Sequence, residues 1–96
     1  MTEPLRRCEV EVQRAARRAL SETLPLPVAT AVVEFIAADL STAPHRVGKE
    51  LNDPLAGIHS ARVLRDWELL YRIDDDARVV SVLAVRHRSD AYRGRL

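Results

Sequence analysis

Along this chain the apolar positions switch between a strand period and a helix period, and the switches predict the elements. Cys8-Glu9-Val10-Glu11-Val12 alternates with period two and reads as a short half-buried strand. From Gln13 to about Thr23 come helix formers rich in alanine and arginine, with Ala16 and Leu20 on one face. Pro25 and Pro27 interrupt, and Pro27 suits the first turn of a second helix, where its missing N–H costs nothing. That helix is predicted from about Val28 to Leu40, with Val28, Val32, Phe35, Ile36 and Leu40 as one apolar stripe, stopping before Pro44. Two helices joined by so short a break form a hairpin.

Pro44, Gly48, Pro54 and Gly57 mark residues 44–57 as a loop, with Leu51 and Leu55 expected to tuck onto the core. Ile58 to Val63 reads as a second strand. Trp67 to Asp74 is a stronger third one, with Trp67, Leu69, Tyr71 and Ile73 on one face and Glu68, Leu70, Arg72 and Asp74 on the other. Asp74-Asp75-Asp76-Ala77 makes a solvated turn without glycine. Val79 to Val85 is apolar on both faces and is therefore expected to be central. The predicted order is β-α-α-β-β-β in a single domain over residues 1–96: an α+β fold, an antiparallel sheet with a helix hairpin packed on one face. The other face is left as a shallow open surface that suits an extended ligand or a partner helix.

Composition narrows this picture. Ninety-six residues allow one modest core, and 47 % apolar with 30 % charged residues is the balance of a globular chain, not a disordered one. The apolar runs are far too short to span a bilayer, and Met1 to Arg7 has no apolar signal region, so a cytoplasmic protein is expected. Cys8 is the only cysteine, and His45, His59 and His87 show no ligand spacing, so no metal site is expected. His45 and His59 are read as loop residues. The net charge of +1 is uninformative, but its distribution is not: Arg86, Arg88, Arg93 and Arg95 face one acid, Asp90, in the last eleven residues. Arginine forks onto phosphate oxygens better than lysine does.

Four ordered stretches carry a resemblance: His45-Arg46-Val47-Gly48-Lys49-Glu50-Leu51, Leu55-Ala56-Gly57-Ile58-His59-Ser60-Ala61-Arg62, Leu70-Tyr71-Arg72-Ile73-Asp74-Asp75, and Val85-Arg86-His87-Arg88-Ser89-Asp90-Ala91-Tyr92-Arg93. With the helix pair in front, they resemble the RelE/ParE family of bacterial toxins over nearly the whole chain. The resemblance implies the toxin of a type II toxin–antitoxin pair, held inactive by a small cognate antitoxin. RelE-like members are mRNA interferases: on the ribosome they cleave messenger RNA and inhibit translation, by attack of a ribose 2′-hydroxyl on the adjacent phosphate. This endoribonuclease chemistry uses no metal and no organic cofactor. ParE-like members share the fold and poison DNA gyrase instead.

The resemblance also assigns residues. Arg62 matches a strand position that often carries a lysine or arginine in cleaving members. Arg86 lies where the family puts an arginine at the end of the last strand, suited to stabilising the transition state. Tyr92 matches a C-terminal tyrosine that stacks on a base or takes part in proton transfer. His87 is a further acid–base candidate, its free pKa being near neutrality, although alternation puts it on the face opposite Arg86. Lys49, Arg65, Arg72, Arg88 and Arg93 are candidate RNA contacts, each with the competing reading of a solvated surface charge.

The departure is Glu68. Cleaving members usually carry an arginine directly after the aromatic residue, whereas here the order is Trp67-Glu68-Leu69-Leu70-Tyr71. An acid near a phosphate repels it. Three explanations stay open: a weakened or non-cleaving member, an engineered variant, or replacement of the missing charge by Arg65 or Arg72 with Glu68 as a base. With Glu68 and Arg72 on the same strand face, an ion pair with Arg78 or Arg86 of the neighbouring strand is equally open. The functional alternatives are a gyrase poison and an inert antitoxin-binding protein.

Overall fold

The computed structural model describes residues 7–89. Strand β1 (Glu9–Val12) leads into helix α1 (Arg14–Arg18), which widens into a π-helical turn over Ala19–Thr23. Helix α2 (Leu26–Phe35) follows, entered at Pro25 with Pro27 in its first turn, and widens likewise over Ile36–Leu40. The strands β2 (Lys49–Glu50), β3 (His59–Val63), β4 (Trp67–Asp74) and β5 (Val79–His87) complete a sheet ordered β1-β5-β4-β3-β2. No helix among the described residues is long and apolar enough to cross a membrane.

The α+β class, the helix pair and the antiparallel β3–β4–β5 meander follow the sequence pattern. β5 lies between β1 and β4, as its two apolar faces require. Three features differ from expectation. The sheet is mixed, because β1 joins β5 in parallel, Val10 opposite Val80 and Val12 opposite Val82. The helix hairpin carries the chain from β1 to β2 at the opposite edge, and three antiparallel steps through β3 and β4 bring β5 back beside β1. Lys49 and Glu50, expected in a loop, form a short edge strand against Ser60 and His59. Leu55 stays exposed at 43 % and does not reach the core, while Leu51 is half-buried.

The core occupies one face of the sheet. Ala61, Val63, Leu69, Tyr71, Val80, Val82 and Val85 from the strands meet Ala16, Val28, Val32 and Leu40 from the helices. Tyr71 is fully buried, and its hydroxyl donates to the carbonyl of Pro44 at 2.6 Å. A Cβ on Gly48 would collide with that hydroxyl and with the Ser60 backbone, so only glycine lets this loop close over the tyrosine. Burial pushes the Tyr71 phenol up to about 12. His59 opens β3, as the strand read over Ile58 to Val63 has it and against its separate reading as a loop residue, and stacks on Tyr71 with ring centroids 5.3 Å apart. His45 is a loop residue, and its Nε2 lies 2.8 Å from Asp75 in the acidic turn.

The β3–β4 and β4–β5 turns lack glycine. Leu64 and Arg78 take the left-handed conformation that each turn needs, at φ 56° and 58°. In the second turn the Asp74 carboxylate accepts the Ala77 N–H at 2.9 Å, which fixes the bend.

Candidate functional site

The register of β3, β4 and β5 decides which polar side chains meet on the open face. Arg62 stands opposite Glu68, and Glu68 stands opposite Arg86. The three therefore form a single row across three adjacent strands, with a carboxylate between two guanidinium groups. Directly opposed side chains on one sheet face have Cβ atoms roughly 4.5–5.5 Å apart. Glu68 Oε1 and Arg86 Nε are 3.4 Å apart, with the two side chains 29 % and 36 % exposed. Arg62 is exposed and makes no ion pair among the described residues.

Arg86 reaches this face because of a bulge in β5. Leu70 pairs with Ala84, whereas Tyr71 pairs with Val82, so Leu83 is an extra residue. Strict alternation would give Arg86 the same face as Val82, which is fully buried. With one residue inserted, Val82 and Val85 both point into the core, and Arg86 turns outward beside Glu68. Sequence periodicity gives no sign of this, since Val82-Leu83-Ala84-Val85 is uniformly apolar. Ser60, Leu70 and Ala84 make the next row on the open face and give the charged row a small half-buried floor that the sequence reading did not single out.

The remaining candidates divide by position. Arg65 sits in the β3–β4 turn, at the end of the sheet nearest the row. Arg88 joins it there, its backbone N–H donating to the Asp66 carbonyl at 2.6 Å. Lys49 pairs with Ser60 and so lies on the open face at its edge. Arg72 shares the face but stands opposite Ser81, four residues from Glu68, about 13 Å along the strand. It is too remote to substitute for a missing charge beside Glu68. His87 lies on the opposite face, as its alternation from Arg86 predicts: its ring meets Trp67 edge-on at 5.1 Å and its Nδ1 is 2.8 Å from the Ser89 hydroxyl. Tyr92 and Arg93 lie outside the described residues. Among the described residues no group of three histidine, cysteine or acidic side chains is placed to hold a metal ion.

Chemically, the row can hold an anion and accept a proton or hydrogen bond at Glu68. Its own carboxylate already neutralises one of the two guanidinium charges. None of its three side chains is a hydroxyl or thiol nucleophile.

Residues 13–92 match the family model described as ParE toxin of type II toxin–antitoxin system, parDE. Two curated relatives from Mycobacterium tuberculosis are similar over 84 residues, 88 % of this chain. Toxin RelG is 50 % identical over 94 % of its own length, and Toxin RelE is 40 % identical over 84 %. Among solved structures, the toxin–antitoxin complex RelBE2 of Mycobacterium tuberculosis contains a chain 48 % identical. It covers 85 % of this chain and 99 % of its own length, with a TM-score of 0.78. The isolated Escherichia coli RelE toxin has the same fold at 18 % identity and a TM-score of 0.67, over 93 % of this chain and 99 % of that one.

Proposed function

The chain belongs to the RelE/ParE family of type II toxin–antitoxin toxins, and from that premise we propose that it is a ribosome-dependent endoribonuclease of the RelE kind. The observation that carries this reading is the register that places Arg62 and Arg86 on either side of position 68 on the open sheet face. A phosphodiester seated there meets two fixed guanidinium groups. Attack at phosphorus makes a pentacoordinate phosphorane with additional negative charge, so fixed cations stabilise the transition state more than the ground state. A row without a nucleophile of its own suits a reaction in which the substrate supplies one. In that reaction the ribose 2′-oxygen forms a bond to phosphorus and loses its proton. The bond from phosphorus to the 5′-oxygen breaks, that oxygen gains a proton, and a cyclic phosphate remains.

The site is open and carries one net positive charge from its three members. It offers little grip on a free message, which fits a substrate positioned by the ribosome. Arg65, Arg88 and Lys49 line the approach as phosphate contacts, and Tyr92 and Arg93 belong to the proposed machinery through the family resemblance. A cognate antitoxin is the expected partner: the relatives of known structure include toxin–antitoxin complexes. The proposed location is the cytoplasm, where message and ribosome are found.

Primer extension on a reporter message in a translating extract tests the reading. Cuts by the parent chain that vanish in Arg86→Ala support it. A second reading, a gyrase poison, is favoured by the ParE description of the matching family model. Inhibition of DNA supercoiling without message cuts would establish that reading and overturn the first.

A further inference from the structure

We propose that Glu68 occupies the place of the substrate phosphate in the free protein and competes with it for the arginines. This inference rests on the reading of the row as a phosphodiester site and names a residue that sets its affinity. Three observations carry it. Glu68 is the middle member of the row, directly opposed to Arg62 on one side and Arg86 on the other. Its Oε1 lies 3.4 Å from Arg86 Nε, so the carboxylate already engages the guanidinium edge that a phosphate oxygen would use. Both side chains are about a third exposed, which leaves the pair reachable and still part-shielded from solvent.

A phosphate entering between the arginines must displace the carboxylate from Arg86 and then tolerate its charge nearby. Two like charges about 5 Å apart at a protein surface repel by an amount on the order of a tenfold change in affinity, reduced by salt. Glu68 therefore acts as an internal anion that the row releases only to a well-positioned phosphodiester. It selects against free phosphates and loosely held RNA. It is a specificity-determining residue and needs no proton-transfer role of its own.

Inorganic phosphate is the probe, titrated against the parent protein, Glu68→Gln and Glu68→Ala while the arginine Nε–H resonances of Arg62 and Arg86 are followed by NMR. Glu68→Gln keeps the size of the side chain and removes its charge, and Glu68→Ala removes both. The expected result is about tenfold tighter phosphate binding in each variant, with the Arg86 resonance shifting most. Equal or weaker binding in both variants overturns the inference. Message cleavage by the same proteins on ribosomes tests the function separately. Tighter phosphate binding with no cleavage by any variant leaves the competition standing and removes the nuclease. Unchanged phosphate binding alongside cleavage by the parent does the reverse.

Discussion

The two faces of strand β4 are built to opposite specifications. On one, Leu69 and Tyr71 are wholly buried, and Tyr71 is tied to Pro44 by a 2.6 Å hydrogen bond under a glycine that leaves no spare room. On the other, Glu68 is in half-solvated contact with Arg86 across a 3.4 Å gap. Neighbouring residues on one strand thus do separate work: the odd positions hold the fold, while Glu68, Arg72 and Asp74 present charge on the other face. Dense packing makes the first face intolerant of change, because a lost contact there leaves a void or an unpaired polar group. Solvent makes the second face energetically cheap to alter, and so free to carry a site.

The comparison breaks most visibly at Leu69. Truncation to alanine is expected to cost about 2–5 kcal/mol of stability, seen as a lower urea midpoint, because a fully buried side chain leaves a cavity. A loss below 1 kcal/mol would show that the two faces are less different than their burial implies. Arg86→Ala should do the opposite. Under the proposed function it lowers message cleavage by about 10²–10³-fold, while its urea midpoint stays within what a surface ion pair is worth, about 0–1 kcal/mol. Unfolding of Arg86→Ala would place this arginine in the structural class.

Tyr71→Phe sharpens the contrast at intermediate size. It leaves the buried Pro44 carbonyl without its donor and is expected to cost about 1–3 kcal/mol. It also has a signature in pH. The folded phenol titrates at about 12, against 10.0 when unexposed to the fold. Unfolding therefore releases a proton between these values, and the stability that Tyr71 supplies is complete below pH 10 and falls as pH rises towards 12. Urea midpoints of the parent at pH 8, 10 and 11 should decline above pH 10 more steeply than those of Tyr71→Phe. Parallel profiles would remove burial of the phenol as the cause. The smallest effect belongs to the open face itself. A double-mutant cycle of Glu68→Gln with Arg86→Gln should return a coupling of about 0.2–1 kcal/mol, falling in high salt. A coupling several times larger would mean that the pair contributes to the fold as the buried face does.

Much of this was legible in residue order, and for a physical reason. Period-two alternation reports which face a side chain takes within its own strand. Hence the split of β4 into Trp67, Leu69, Tyr71, Ile73 and Glu68, Leu70, Arg72, Asp74 is visible in the sequence and appears unchanged in the structure. The helix hairpin was equally local, since Pro25, Pro27 and one apolar stripe determine it. The family resemblance directed attention to Arg62 and Arg86, and the departure at Glu68 was plain once the motif was laid out. What periodicity does not encode is the relation between strands. The parallel seat of β1 beside β5, the short edge strand at Lys49–Glu50, and the stacking of His59 on Tyr71 all depend on which segments pair. The same holds for the site. Only the extra residue at Leu83 turns Arg86 away from the core, and only the register aligns it with Glu68 and Arg62. The sequence alone determined which residues could carry charge to a surface. Tertiary pairing decided that three of them share one row, because register is set by hydrogen bonds between segments distant in the chain.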